Sequence, residues 1–255
     1  MEWLLQFSHQ LPALGLVVLR SSGFFFSAPL FGQTRIPVVI RVLFSILVGA
    51  LVFPFVKLPA EAVPYNTINW MITGLIEIMV GLIYGWSASL VFEGMVLAGQ
   101  FIGLQMGFAQ ANVLNPESQT QRPLLSEIYF ILAILVFFSI NGHHMLVIAF
   151  QKSFQTLPIG QFVLKAQTLE QIMTLFAQIF VVALMIAAPI CGVLTLIDII
   201  MGLITRTAPQ MNVLVLSFSI KIYVGLFTLL LSLSFTMQFM EDLLPGLLDQ
   251  LTRLF

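Results

Sequence analysis

The sequence carries little charge: of its 255 residues, 10 are Lys or Arg and 11 are Asp or Glu, so charged residues make up only 8%. A soluble domain carries about 25%, and 59% of this chain is hydrophobic. So few charges cannot cover the apolar surface of a soluble protein of this size. The composition excludes an ordinary cytosolic enzyme, a disordered chain and a basic nucleic-acid binder. It predicts a polytopic membrane protein or a subunit of a membrane complex.

Catalytic and metal-binding motifs are also scarce. Cys191 is the single cysteine, which excludes an internal disulfide and a thiolate cluster. His143 and His144 are adjacent, so on a helix their side chains diverge by about 100° and cannot share a metal without a distant third ligand. No phosphate-binding glycine loop or nucleophile elbow is present. We therefore expect no cofactor, no metal and no enzymatic activity.

Six apolar runs reach the roughly 20 residues that cross about 30 Å of hydrocarbon. They lack the alternation of outer-membrane strands, so the predicted fold is all-α. The third run would extend some 60 Å at about 1.5 Å per residue, so it is either two elements or one helix that leaves the bilayer. The runs are roughly Leu11–Leu30, Val38–Val56, Ile68–Phe108, Leu124–Phe150, Ile172–Ile204 and Met211–Met240.

The tail, residues 240–255, differs from these runs because its leucines recur at three- and four-residue spacings among charged residues. This spacing predicts an amphipathic helix. Such a helix either lies in the membrane interface, packs on its own chain or docks to a partner.

Ionisable residues inside the apolar runs point to internal pairing or to a function. Each costs about 2.5–3.5 kcal/mol near the centre of a bilayer. Two are cations and three are anions, so ion pairs within the chain, a proton or ion relay, and contacts with other subunits all remain open. The five are Arg41, Glu77, Glu93, Asp198 and Lys221. Arg206, in the connection before the last run, is a further candidate subunit contact.

Glycines recur at four-residue spacing in the third run. Gly99, Gly103 and Gly107 lie one turn apart, and Gly81 and Gly85 form a second pair upstream. A helix face without side chains lets another backbone approach closely. The pattern predicts tight helix packing, against either the same chain or another.

Four stretches together carry a family resemblance. They are residues 19–41 (LRSSGFFFSAPLFGQTRIPVVIR), 99–116 (GQFIGLQMGFAQANVLNP), 141–160 (NGHHMLVIAFQKSFQTLPIG) and 206–226 (RTAPQMNVLVLSFSIKIYVGL). In this order and spacing the chain resembles the FliR family of flagellar export-gate subunits, called SctT or SpaR in virulence type III secretion. The resemblance covers nearly the whole chain and predicts a single FliR-like domain over residues 1–255.

The resemblance implies an architecture and a set of partners. Such proteins form kinked helical hairpins within a hetero-oligomeric helical assembly, with FliP-like and FliQ-like subunits, in the bacterial inner membrane at the flagellar basal body. The assembly carries unfolded flagellar proteins outward. FlhB-like and FlhA-like export components, membrane lipid and the exported proteins are the other expected partners. The chain itself would be a structural and gating subunit without ATP or proton chemistry.

The resemblance also implies a plug. The loop after the glycine-rich helix, from about Met106 to about Pro123, would project into the closed pore, where apolar side chains exclude water and ions. Without the resemblance, the same segment would be interpreted as a solvated connection. The expected plug residues are Met106, Gly107, Phe108, Val113, Leu114, Asn115 and Pro116.

Two other functional classes remain as alternatives. A small-molecule or ion secondary transporter would use Glu77, Glu93, Asp198 and Lys221 as a relay near the midplane. The absence of an internal repeat weighs against it. A polytopic membrane enzyme is disfavoured because no nucleophile–base pair or metal-ligand set is visible.

Overall fold

The computed structural model describes residues 2–29, 31, 36–56, 66–108, 123–162, 166–208, 210 and 212–251. Within these ranges the regular structure is helical, without a β-strand, which confirms the all-α prediction. A short 3-10 helix, Phe53–Phe55, follows the second α-helix. The α-helices are α1 (Glu2–Ser27), α2 (Val38–Val52), α3 (Thr67–Gln105), α4 (Leu124–Ser139), α5 (Gly142–Thr156), α6 (Ala166–Thr207) and α7 (Val213–Leu251).

Proline and asparagine mark three of the helix boundaries. Pro37 and Pro123, with ψ of 139° and 145°, directly precede α2 and α4, because proline has no amide hydrogen to lose at a helix start. Asn141 separates α4 from α5 in the left-handed region, with φ 57° and ψ 33°. Asparagine tolerates this conformation better than most residues. The fourth apolar run is therefore two helices.

Fewer helices than predicted have the length and composition of a membrane span. Four qualify in the described part of the chain, or five if α4 and α5 together count as one broken span, whereas six runs were expected. Helix α1 is not among the four. The third run is one continuous helix of 39 residues, about 58 Å long. It therefore extends well beyond a bilayer's hydrocarbon.

The chain divides into two compact units. The first contains Met1–Leu90, Asn141–Leu175 and Leu244–Phe255. In it, α1 packs against α2, the first part of α3, and α5. Its core is rich in phenylalanine: the rings of Phe24 and Phe150 lie 5.1 Å apart. This unit is built around a well-buried α1.

The second unit contains Val91–Ile140 and Phe176–Leu243. The end of α3 packs in it against α4 and α6, with Phe92 and Phe137 in contact at 5.4 Å between ring centroids. Its outer surface is apolar and open, since only 11% of the most apolar stretch of α7, within Val215–Leu243, is buried. Such a surface requires lipid or other protein chains around it.

The predicted tail helix is continuous with α7, which extends to Leu251. Residues 252–255 lie outside the described residues, as do the side chains of residues 244, 245 and 247–251. Its amphipathic character therefore stays a prediction from the sequence.

Candidate functional site

The end of α3 directly precedes the predicted plug segment in the chain. The helix ends at Gln105, and the Gly107 N–H donates to the carbonyl oxygen of Leu104 at 3.1 Å. Gly107 has a φ of +88°, which L side chains rarely adopt, and a Cβ there would lie 2.9 Å from the ring of Phe218. Backbone conformation and packing both require glycine here. The backbone position from which the chain continues into Phe108 is therefore fixed.

Met106 anchors this turn to α7. Its N–H donates to the carbonyl oxygen of Ile102 at 2.9 Å, and its side chain is fully buried. It packs onto Gly225, where a Cβ would lie 2.8 Å from the Met106 Cε. Gly225 thus provides the space that Met106 fills, and Met106 belongs to the base of the loop.

A polar cluster joins three helices beside this turn. The Gln105 side-chain amide donates to Asp198 Oδ2 at 3.1 Å and to Thr195 Oγ1 at 3.4 Å. Asp198 forms an ion pair with Lys221. The Asp198 side chain is 40% exposed and that of Lys221 17% exposed. The cluster connects α3, α6 and α7 and neutralises two of the charges that the apolar runs contain.

The far end of the loop is held by glycine packing between α3 and α4. A Cβ on Gly99 would lie 2.6 Å from the Cα of Ser126, so the two backbones are in direct contact there. Gly103 lies more loosely against Leu125, with 3.9 Å to its Cδ1. This contact holds the start of α4 beside the last turns of α3. The residues on either side of segment 109–122 therefore lie on packed helices. We call this packed region the loop base; it includes Gly99, Gln105, Met106, Gly107 and Ser126.

The tip of the predicted plug lies outside the described residues. Val113, Leu114, Asn115 and Pro116 belong to segment 109–122, of which the structure describes nothing. Their assignment therefore rests on the sequence.

The first unit contains a second polar site, a buried ion pair between Arg20 of α1 and Glu77 of α3. Arg20 Nη1 also donates to the carbonyl oxygens of Ser153 at 3.2 Å and Leu157 at 2.9 Å. Glu77 Oε1 accepts from the Gly160 N–H at 3.0 Å. Both side chains are essentially inaccessible to solvent. The pair therefore ties α1 and α3 to the C-terminal end of α5.

This site explains the motif in residues 141–160. The Arg20 guanidinium lies 4.4 Å from the ring centroid of Phe154, in a cation–π contact. Gly160 has a φ of +77° and presents its N–H to Glu77. The Ser153-Phe154 pair and the turn from Pro158 to Gly160 thus form one binding site for the ion pair.

The upstream glycine pair serves the same junction. Gly81 lies directly against the backbone of Arg20, and Gly85 against the backbone of Phe24. A side chain at either glycine would overlap α1. This close approach places Glu77 within reach of Arg20, which connects the glycine pattern to the buried charges.

The remaining predicted charges lie apart from both clusters. Arg41 is half-buried on α2 and donates to the carbonyl oxygen of Ile36 at 2.8 and 3.0 Å. Glu93 and Arg206 are exposed. Across the described ranges, no group of three or more His, Cys, Asp or Glu residues has an arrangement that could hold a metal ion.

Sequence reasoning did not identify Arg20 as the partner of Glu77. Arg20 lies 57 residues away, in the first apolar run, Leu11–Leu30. An arginine near the middle of an apolar helix was the available signal, because such a residue requires an anion close by.

Comparisons with known proteins agree with these features. The family model described as "Bacterial export proteins, family 1" matches residues 11–246. Flagellar biosynthetic protein FliR of Bacillus subtilis is 33% identical, over 88% of this chain and 86% of that protein. FliR of Escherichia coli K12 is 29% identical over 82% and 79%. FliR of Aquifex aeolicus is 28% identical over 86% and 84%.

Proposed function

Because the chain belongs to the bacterial export protein family that includes the FliR proteins, we propose that it is a structural and gating subunit of a flagellar type III protein-export channel. In this proposal it lies in the bacterial inner membrane at the flagellar basal body. With FliP-like and FliQ-like subunits it forms the path for unfolded flagellar proteins. It performs no chemistry of its own.

The main support for a gating role is the packing of the loop base. The glycine turn at Gly107, the packing of Met106 on Gly225 and the Gln105–Asp198 hydrogen bond fix the position of the residues that precede segment 109–122. A flexible connection between two membrane helices does not need such an attachment. A plug does, because its apolar tip must return to one position after each substrate has passed.

The gating step follows from the chemistry of the loop. Val113 and Leu114 supply apolar surface near the middle of the segment, and an apolar constriction excludes water and ions without any bond being made. A passing unfolded chain displaces the loop by occupying the same volume. The loop base stays folded meanwhile, so closure requires only that the tip return.

The exposed surface supports an assembly. Large apolar side chains are exposed along the second unit, such as Leu184 and Phe227, and helix α3 is longer than a bilayer is thick. Protein neighbours cover such surfaces where lipid does not reach. FlhB-like and FlhA-like components are further proposed neighbours, the former at residues 240–255. Lipid covers the remaining exposed apolar surface.

The secondary-transporter alternative is less well supported. A relay needs carboxylates that can gain and lose protons during transport. Glu77 is fully buried against Arg20, and Asp198 is paired with Lys221. Three of the four proposed relay groups are therefore engaged in ion pairs.

The test is a shortened loop in the full-length chain, expressed with its partner subunits. Removing residues 111–118 should leave the assembled complex intact and make membranes leaky to small ions. A matched control removes residues 58–63 from the α2–α3 connection, which should cause no leak. If the shortened chain assembles and causes no leak, the gating role is contradicted. If the wild-type chain forms no complex with the partner subunits, the export-gate role is contradicted.

A further inference from the structure

The last turn of α3 is attached to two helices by contacts of different kinds. On the α7 side the attachment is packing, because Met106 lies against Gly225 and the ring of Phe218 lies against Gly107. On the α6 side it is polar, because the Gln105 side-chain amide donates to Asp198 Oδ2 at 3.1 Å. A substitution can therefore remove the second attachment and leave the first in place.

Packing between α3 and α6 becomes looser toward this turn. Earlier in α3 the two helices are in close contact, since a Cβ on Gly94 would lie 3.1 Å from Val182 Cγ1. Nearer the end of α3, an open groove of about 390 Å³ lies between them. Its walls include Phe101 of α3 and the small Ala187 and Ala188 of α6. Side chains that face such a gap lose their contacts across it, so hydrogen bonds hold the end of α3 on α6.

Asp198 supplies the two acceptors that this junction uses. Oδ2 accepts from Gln105, and the other carboxylate oxygen pairs with Lys221 of α7. An ionised carboxylate only accepts hydrogen bonds, so the nitrogen of the Gln105 amide faces it. The Thr195 hydroxyl donates to the Cys191 carbonyl oxygen at 2.7 Å, and its own oxygen accepts from the same Gln105 nitrogen at 3.4 Å. Helix α6 therefore holds Gln105 by its donor hydrogens.

Lys221 holds Asp198 in this position. It follows Phe218 by three residues and precedes Gly225 by four, so it lies on the face of α7 that packs against the last turn of α3. The Asp198 side chain is 40% exposed, and an ion pair with that exposure adds little to stability. Loss of the contact should therefore change the position of the last turn more than the assembly of the chain.

We infer, on the basis of the proposed function, that Asp198 is a positioning residue for the closed gate, because it holds the last turn of α3 on α6 through the donor hydrogens of Gln105. A chain without this contact keeps its packing on α7, so it assembles but closes poorly. Donor capacity at position 105 determines closure, whereas the size and polarity of the side chain do not.

The first experiment removes the donor in the full-length chain, assembled with its partner subunits. Gln105→Met keeps the length of the side chain without a donor, and Gln105→Glu places a second carboxylate beside Asp198, where like charges repel. Each should raise the resting ion leak by about tenfold, because a hydrogen bond to a charged group is lost. Each complex should be recovered in the wild-type amount. The control Gln238→Met makes the same change at an exposed position of α7 and should not leak.

A double variant tests whether the two positions act through one contact. In Gln105→Glu/Asp198→Asn, the amide introduced at position 198 donates to the carboxylate introduced at position 105, and the cluster keeps one carboxylate and Lys221. The leak should return to the wild-type level. A leak as large as that of Gln105→Glu alone would overturn the inference. So would wild-type closure, or loss of the complex, in either single variant.

Spin labels measure the position of the last turn without any ion flow. They are attached at Leu104→Cys and Leu203→Cys in a Cys191→Ser chain, since both leucines are exposed, by 61% and 62%, on α3 and α6 of the second unit. The distribution of distances between the labels should be narrow with Gln105 present and broad after Gln105→Met. An unchanged distribution would show that the contact does not position the turn.

The failure of this inference and the failure of the proposed function are distinguishable. If the chain that lacks residues 111–118 assembles and does not leak, the gating role fails, and the label distances still test Asp198. If that chain leaks, but Gln105→Met neither leaks nor broadens the distances, only the positioning role of Asp198 fails.

Discussion

The buried pair between Arg20 and Glu77 allows a quantitative prediction. Glu77→Gln keeps the shape of the side chain and an oxygen for the Gly160 N–H, which now lies 3.0 Å from Oε1. It removes the only anion beside Arg20 among the described residues. Because removing one partner of a buried ion pair leaves an uncompensated charge, the expected cost is about 3–5 kcal/mol.

The opposite variant, Arg20→Met, should cost more. It leaves Glu77 as an unpaired buried carboxylate, again about 3–5 kcal/mol. It also removes the donor to the Leu157 carbonyl oxygen, at about 1–3 kcal/mol for an unsatisfied group. The Ser153 carbonyl oxygen keeps the Leu157 N–H as a donor, at 3.0 Å.

The double variant Arg20→Met/Glu77→Gln separates charge from packing. It loses the hydrogen bonds and the cation–π contact of Arg20, as Arg20→Met does, but it contains no buried charge. It should therefore be more stable than Arg20→Met alone by about 3–5 kcal/mol. If the two substitutions acted independently, the double variant would instead be less stable than Arg20→Met by the same amount. A difference of 3 kcal/mol corresponds to roughly a 150-fold change in an equilibrium constant.

The assay compares four versions of the full-length chain in the solubilised complex. Unfolding of such a complex is not two-state, so the rank order of apparent midpoints, together with the amount of chain in the membrane, is the readout. We expect the wild type first, Glu77→Gln and the double variant next, and Arg20→Met last. A double variant that ranks below Arg20→Met, or a Glu77→Gln chain as stable as the wild type, would refute the reasoning.

Two further predictions concern the loop base. Gly99→Val should abolish accumulation of the chain, because its side chain would overlap the backbone of α4, whereas Gly202→Val, with open space around it, should accumulate normally in immunoblots of membranes. Lys221→Met should cost only about 1 kcal/mol, because Asp198 is 40% exposed and keeps its hydrogen bond; a midpoint shift as large as that of Glu77→Gln would contradict this ranking.

The sequence predicted the fold class well and the number of spans less well. Apolar runs indicate helices wherever they occur, and all-α structure follows from their length. The count differed at two runs: the first forms α1, which is not a candidate span, and the fourth is bent at Asn141 into α4 and α5. The sequence allows the third run to be two elements or one helix, and it is one helix of 39 residues.

The sequence also contained the parts of the candidate sites, but not their pairing. Opposite charges in apolar runs made ion pairs possible, and the structure joins Asp198 to Lys221. Glu77, however, has Arg20 as its partner rather than Arg41. Pairing depends on how helices distant in the chain are packed, and a single sequence does not specify that arrangement.

Contact between the loop tip and an exported protein tests the central claim most directly. Cys191→Ser gives a chain without cysteine, and Leu114→Cys then places one thiol at the proposed tip. The account predicts that a substrate stalled during export, carrying a thiol-reactive group, cross-links to Leu114→Cys and not to the control Glu170→Cys. Export that proceeds normally while the tip thiol never contacts the substrate would contradict the account.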